Sequence, residues 1–467
     1  MKKINLLVFC LFVFLNQAFA QIFKTDTLQY KGNTNKHINI VILGDGYTAS
    51  EQIKFNADAK KLIDYLFKQA PWSNYVNYFN VFTIEVISLE SGVKHPKTSS
   101  ECSNSSTVSN PDNYFGTSFD SFGIHRLVVP GNMSLVSKVL AFNFPLYDQA
   151  ILLANSPDYG GSGGTIATAT NDGSSNEVVA HELGHSFAKL ADEYFAGFNY
   201  AQEAINMTKE TDKNLVRWKN WIGYKEVGVY NHCCGTAEAE WHKPHEKCKM
   251  QSLNKEFCSV CQEGIVEKIH SLTKPIVSYE PSANSINSAN QLIDFKLIEL
   301  TKPTPNTLNI EWKLDNIITK NKAESFTLDQ NTLTNGSHTL AVTVVDTTTL
   351  LRVDKHTTLH FNTVVWTINK TATTGTQLLS AENKISYSVF PNPSSSVLNI
   401  EMELEKPSKV MIQLISIDGK IVQTLENQLI VNHKYNNIFN IEQLPIGTYN
   451  IVFKIDDVVR TQTFVKQ

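Results

Sequence analysis

The sequence predicts a multidomain chain in which an α/β (α+β) domain is followed by two β-sandwiches. Up to about residue 275, near-continuous apolar runs alternate with helix-like segments, the pattern of an α/β sandwich. Beyond Pro275 the texture changes to short alternating runs separated by turn signals, which reads as antiparallel β structure. The 467 residues suffice for two or three domains at the usual ~100–200 residues each.

The chain opens with Lys2-Lys3, an apolar run at residues 6–15 and Ala18-Phe19-Ala20 before Gln21. This is the pattern of a secretory signal peptide over residues 1–20. The run is too short to span a bilayer ~30 Å thick and no later segment is long and apolar enough, so no transmembrane anchor is expected. The net charge of −4 is small and unclustered, which gives no footing for nucleic acid or an anionic membrane. Of seven cysteines, Cys10 leaves with the signal, and Cys233, Cys234, Cys248, Cys258 and Cys261 crowd together far from Cys102. In an exported chain these are expected to form disulfides, although Cys258-Ser259-Val260-Cys261 also reads as half of a zinc knuckle.

Residues 38–43 form an apolar strand ending in Gly44-Asp45-Gly46, after which Thr48 or Ser50 caps a helix carrying Phe55, Ala59, Leu62, Leu66 and Phe67. The glycine turn lacks the Lys-Ser/Thr of a phosphate loop. A second strand covers residues 79–87, and the polar stretch 97–118 reads as a surface loop. Arg126-Leu127-Val128-Val129 resumes a strand, residues 134–141 look helical, and residues 148–154 form another buried strand. A glycine-rich run then leads into residues 165–170.

The organising stretch is Val178-Val179-Ala180-His181-Glu182-Leu183-Gly184-His185-Ser186-Phe187. On a helix, residues four apart share a face and lie ~6 Å apart along the axis, so His181 and His185 can grip one Zn²⁺ from one side. Glu182 cannot join them on that face but can reach a metal-bound water as general base. Zinc in a hydrolase takes a third protein ligand, and Asp192 and Glu193 follow. A straight helix would carry Asp192 ~10 Å beyond His185. The helix is therefore expected to end soon after Phe187 and the chain to fold back.

The run HELGHSFAKLADEY at residues 181–194 resembles the zinc signature of the immunoglobulin A peptidase family (igalysins), a metzincin-type group of secreted bacterial metallopeptidases. The resemblance implies a metzincin-like catalytic domain over residues 22–275, with His181, His185 and Asp192 as Zn²⁺ ligands, Glu193 as the alternative third ligand and Glu182 as the base. Two departures stand out. Ala188-Lys189 occupies the place of a turn glycine, and the acidic residue comes one position later than the usual third ligand. Cys248-Lys249-Met250 and Phe257-Cys258-Ser259-Val260-Cys261 also resemble the family pattern, which implies that Met250 floors the metal site without binding it. Cys248 with Cys258 or Cys261 is the expected bridge. In metzincin-like enzymes the strand before the active-site helix forms the cleft rim and pairs with extended substrate. Residues 165–170 take that place, with Gly163, Gly164, Thr165 and Ile166 as the substrate-binding candidates and a non-contacting loop as the alternative. Trp218, Trp221 and Trp241 read as core or subsite walls, and His232, His242 and His245 as solvent-facing or structural.

Residues 276–368, with strands around 308–312, 339–345 and 364–366 and an Asn335-Gly336 hairpin signal, predict an immunoglobulin-like β-sandwich. Residues 369–383 read as a linker. In the tail, Tyr387-Ser388-Val389-Phe390-Pro391-Asn392-Pro393, Ile417-Asp418-Gly419-Lys420 and Leu444-Pro445-Ile446-Gly447-Thr448-Tyr449 resemble the type IX secretion system sorting domain of Bacteroidetes, a small β-sandwich over residues 384–467. An adhesive or carbohydrate-binding sandwich is the alternative. The two resemblances imply a secreted or cell-surface zinc endopeptidase acting on protein or peptide, with secretion machinery as a partner. The rivals are a binding or adhesive protein on a vestigial peptidase fold, which the intact Glu182 argues against, and a zinc hydrolase of non-peptide bonds.

Overall fold

The computed structural model describes residues 21–102, 107–197, 200–233, 237–288, 290–370, 386–417, 419–456 and 458–467. The expected signal peptide, most of the linker, Cys234 and Asp418 lie outside the described residues. The chain divides into two compact units, Met1–Ala372 and Thr373–Gln467. No helix of the described residues is long and apolar enough to cross a membrane.

The first unit is built on a six-stranded sheet. In chain order its strands are β1 (Thr25–Gln29), β2 (Ile38–Asp45), β3 (Phe79–Ile84), β4 (Gln149–Ala154), β5 (Gly161–Ser162) and β6 (Ala167–Thr170), arranged β1-β3-β2-β4-β6-β5. β2 runs parallel to β3 and β4, and β6 parallel to β4, while the two edge strands are antiparallel to their neighbours. Every residue of β2, β3 and β4 is buried, as parallel strands covered on both faces require. Successive side chains point to opposite faces, so Ile38, Ile40 and Ile42 enter one core while Val41 and Leu43 enter the other.

Helices close both faces. α1 (Gln52–Leu66), whose approach is fixed by a Thr48–Glu51 capping box, buries Phe55, Ala59, Leu62, Ile63 and Leu66 in the first core. α2 (Met133–Asn143) covers the other face with Val136, Val139 and Leu140. α3 (Ser175–Ser186) and α4 (Ser259–Leu272) join α1 on the first face. Two expected strand assignments change. Residues 126–129 make only isolated bridges, Leu127 with Gly161 and Val129 with Ser118. Residues 165–170 supply no rim strand, because β6 lies between β4 and β5 with all four of its residues buried.

Beyond α4 the same unit contains two further sheets around one core. Three strands (Ser325–Asp329, Leu292–Leu300 and Ile276–Glu280) form one, and five (Ser285–Ile286, Phe361–Lys370, Gly336–Asp346, Leu308–Leu314 and Ile317–Asn321) the other. At the centre the Trp312 and Trp366 rings stack 5.9 Å apart and 9° from parallel. The Asn335-Gly336 signal does not make a hairpin, because the strands before and after it belong to different sheets. With a φ of 129°, Gly336 takes a conformation only glycine adopts readily and redirects the chain from one sheet to the other. The tight hairpin is instead at Asp315-Asn316, where φ values of 49° and 66° match the doubly left-handed turn that suits strand twist.

Asp346 joins these sheets to the α/β part. Its fully buried carboxylate accepts from Tyr75 Oη at 2.6 Å, His270 Nε2 of α4 at 3.1 Å, Thr307 Oγ1 at 2.6 Å and the Thr348 amide at 3.0 Å. Nearby, the Arg352 guanidinium lies 4.3 Å and 4.1 Å from the Trp221 and Tyr224 ring centres, and Trp221 Nε1 donates to Glu263 at 2.7 Å.

In the second unit, Ser386–Phe390, Val397–Glu403 and Lys434–Asn440 form one sheet, and Ile421–Ile430, Ser408–Ser416, Gly447–Ile455 and Val458–Lys466 the other. Leu398, Ile400, Ile412, Leu414, Ile451 and Phe453 fill its core. The tail motifs act as staples. Asn392 donates to Thr463 O and accepts from the Val465 amide, both at 2.9 Å, and Tyr449 Oη donates to Pro445 O at 2.8 Å.

Burial alone would raise the pKa of Asp346, but hydrogen bonds from His270, Thr307 and Tyr75 outweigh it and the carboxyl is held below its ordinary value. Replacing Asp346 with Ala leaves buried donors without an acceptor, and denaturant unfolding should show a loss of about 1–3 kcal/mol. Because the folded pKa is depressed, this contribution is present above the usual carboxylate range and disappears as pH falls through the folded value. The stability gap between wild type and Asp346→Asn should therefore narrow in acid.

Candidate metal centre

α3 is held from behind by Val179, Ala180 and Leu183, which enter the first core with Phe187 just past its end. That packing turns His181 and His185 to the opposite side. The helix stops at Ser186, and Lys189 then adopts a φ of 58°, a left-handed conformation that costs a non-glycine residue about 1–2 kcal/mol. The Lys189 and Leu190 amides donate back to His185 O and Gly184 O, each at 3.0 Å. The reversal brings Asp192 Oδ1 to 3.0 Å from His181 Nε2 and 3.1 Å from His185 Nε2, with the two Nε2 atoms 3.1 Å apart.

Backbone carbonyls set the tautomers. His181 Nδ1 donates to Lys249 O at 3.0 Å and His185 Nδ1 to Leu190 O at 2.7 Å, so each Nε2 turns a lone pair inward. Two imidazole lone pairs and a carboxylate oxygen therefore converge, an arrangement that needs a cation or a proton between them. For His185, burial works against protonation, but the hydrogen bond and charge of Asp192 outweigh it and push the pKa up to about 9. Burial likewise opposes ionisation of Asp192, yet hydrogen bonds from His181 and His185 hold it well below the usual carboxylate range.

Glu182 lies beside the pair, its carboxylate within 4.8 Å of the two rings' ligand atoms. Burial raises its pKa, Asp192 adds to the effect and the two histidines oppose it. Gly163 makes room for it, because a Cβ there would stand 2.4 Å from Glu182 Oε2 and 3.2 Å from His185 Cδ2. Beneath the histidines, fully buried Met250 packs on Gly184, where a Cβ would meet its Sδ at 2.7 Å. Met250 O also accepts from the Glu193 amide at 2.8 Å, which ties the Asp192 segment down.

The group sits in a cleft of about 610 Å³ lined also by Arg126, Tyr159, Gly163, Gly164, Tyr194 and Tyr200. Thr165 is exposed and Ile166 is buried in the second core, and neither is among the lining residues. Burial raises the pKa of Tyr194, and the Asp192 charge adds to this, so its hydroxyl remains a donor.

Glu193 turns away from the histidines. Its carboxylate is fully buried and meets Asn206 Nδ2 at 2.9 Å and Cys261 Sγ at 3.2 Å. The expected disulfide is not formed. Cys248, Cys258 and Cys261 are free thiols, with Cys248 and Cys261 Sγ 3.6 Å apart, well beyond an S–S bond of ~2.0 Å. Among the described residues three side-chain groups could hold a cation: His181 with Glu182 and His185; Glu193 with Cys248, Cys258 and Cys261; and His95 with Asp120 and His125. His232, His242 and His245 join none of them. Sequence reasoning missed Asn206, which accepts from the Ala191 amide at 2.8 Å and donates to Ala191 O at 2.9 Å. No local pattern marks it, since it lies 15 residues from its partner.

The model of the IgA peptidase M64 family matches residues 27–227, which include the histidine pair and Asp192, and the secretion system C-terminal sorting domain matches residues 388–467. No curated protein matches the chain. Among solved structures, it is similar to the fibronectin(III)-like modules of Clostridium thermocellum CbhA, at 13% identity over 41% of this chain and 94% of that one, with a TM-score of 0.16. It is also similar to the β-glucuronidase of Faecalibacterium prausnitzii, at 9% identity over 34% of this chain and 33% of that one, with a TM-score of 0.15. β-Glucuronidase 3 of Bacteroides uniformis matches at 8% identity over 50% and 29%, with a TM-score of 0.18. The chain thus spans about a third of each glucuronidase, and likenesses this weak carry no argument about fold or activity. Residues 27–227 belong to the IgA peptidase M64 family, and residues 388–467 are a secretion system C-terminal sorting domain.

Proposed function

We propose that the chain is a secreted zinc-dependent endopeptidase whose metal is held by His181, His185 and Asp192. The observation that carries this reading is the convergence of His181 Nε2, His185 Nε2 and Asp192 Oδ1 at 3.0–3.1 Å from one another on the wall of an open cleft. Donors on a tetrahedral cation with bonds of ~2.0–2.1 Å stand about 3.3–3.4 Å apart, so the three atoms fit such an ion with small adjustments. Bound there, Zn²⁺ supplies Lewis acidity that polarises a scissile carbonyl and acidifies water.

The remaining steps belong to side chains. Glu182 takes a proton from the attacking water and returns it to the leaving amine, a role that its raised pKa suits. Lys249 O and Leu190 O hold the rings in the tautomer that leaves Nε2 free. Gly163 and Gly164 put no side chain into their own stretch of the cleft wall, so an extended peptide backbone can come close there. The family match supports a protein substrate, and the sorting domain supports a secreted or cell-surface location through secretion machinery.

Two sets of variants test the reading. With a protein substrate, Glu182→Ala should keep the wild-type metal content and lose about 10²–10⁴-fold in turnover. Asp192→Ala should lose both one metal equivalent and activity, and near-normal turnover of either variant would sink the mechanism. A chain ended before Ala381 should keep peptidase activity but remain cell-associated in the periplasm, as fractionation would show. Normal release of that shortened chain would remove the sorting role.

A further inference from the structure

Glu193, Cys248, Cys258 and Cys261 place one carboxylate oxygen and three sulfurs within 4.8 Å of one another, all buried. Cys258 is the N-cap of α4 and Cys261 lies in its first turn, while Cys248 and Glu193 arrive on separate loops. The Cys248–Cys261 Sγ separation of 3.6 Å is close to the edge of about 3.8 Å of a tetrahedron with metal–sulfur bonds of ~2.3 Å. The Cys258 amide donates to Cys248 Sγ at 3.3 Å, an orientation that stabilises a thiolate.

Glu193 supplies an independent observation. It is fully buried, and its Oε2 has no hydrogen-bond partner. The nearby Lys243 ammonium does not neutralise it directly, since it donates to Glu193 backbone O at 2.7 Å and to the Gln251 side chain. A buried carboxylate oxygen left without a donor or a cation is costly, and three thiols cannot all be satisfied by disulfides among themselves.

We propose that these four residues form a second metal site, closed and structural, for a thiolate-preferring divalent cation, with Zn²⁺ the best match to an S₃O donor set. Binding releases the thiol protons to solvent, and Lys243 offsets part of the resulting negative charge. The site stands apart from the histidine pair chemically and in the residues it uses. Its consequence for the cleft does rest on the proposed peptidase function. Glu193 follows Asp192 directly, and Cys248 precedes Lys249 and Met250, whose carbonyls accept from His181 and from the Glu193 amide. An ion shared by Glu193 and the cysteines would therefore fasten both segments to the start of α4.

The test uses the full chain and Co²⁺ as probe, because thiolate ligands give an intense near-ultraviolet charge-transfer band that histidine and carboxylate ligands do not. Wild type should hold about two metal equivalents, and Asp192→Ala should retain one equivalent together with the cobalt–thiolate band. Cys258→Ser with Cys261→Ser should lose that band and that equivalent. If the cysteine variant does not fold, the wild-type spectrum and a non-reducing peptide map decide. A cobalt-loaded wild type or Asp192→Ala protein without the thiolate band, or a map linking Cys248 to Cys258 or Cys261, overturns the proposal. Wild type that shows the band but cleaves no protein substrate would count against the peptidase reading of the histidine site alone.

Discussion

The cleft depends on a reversal of the chain immediately after His185. A helix can bring two imidazoles to one face, but it carries everything beyond them away along its axis. The left-handed Lys189 breaks that course within one residue, and the bonds from Lys189 and Leu190 back to the last helical turn hold the chain where Asp192 meets both rings. A conformation that is locally unfavourable persists because its surroundings over-determine it. Leu190 is buried in the core, Asn206 brackets Ala191 from both sides, and Met250 O holds the Glu193 amide.

The sheet supplies the rigidity behind this. β2, β3 and β4 are buried on both faces, so one sheet backs α3 in the first core and α2 in the second. The carbonyls that orient the rings come from two places, Leu190 on the reversal itself and Lys249 on a segment far along the chain. The geometry at His181 is thus as good as the anchoring of residues 248–250. That anchoring combines a local turn, in which the Gln251 and Ser252 amides donate to Cys248 O, with buried contacts to α3 and α4.

Much of this was legible in the sequence where a local period or spacing carried it. The buried parallel strands, α1, α2 and the histidine spacing of α3 each follow from side chains within a few residues of one another, and a straight helix could not have delivered Asp192. What depended on distant partners was misread or missed. The Cys-x-x-Cys spacing is equally compatible with a disulfide and with a metal, and only the approach of Cys248 and Glu193 from elsewhere separates the thiols from a simple pair. Asn335-Gly336 has the composition of a hairpin, yet its neighbouring strands find partners in different sheets. Residues 165–170 were expected to form a rim because they precede the helix, but β5 and the bridge from Leu127 cover that side.

In the second unit, Asn392 near the first strand is hydrogen-bonded to the backbone of Thr463 and Val465 in the last, and Ser394 bridges to Lys466. The Pro-Asn-Pro segment therefore reaches its final shape only after the ribosome has added the last residues of that strand. A chain lacking residues 463–466 would carry the same motif letters without their three-dimensional form. The fold of this unit thus makes the shape of its first motif a property of the strand farthest from it in sequence.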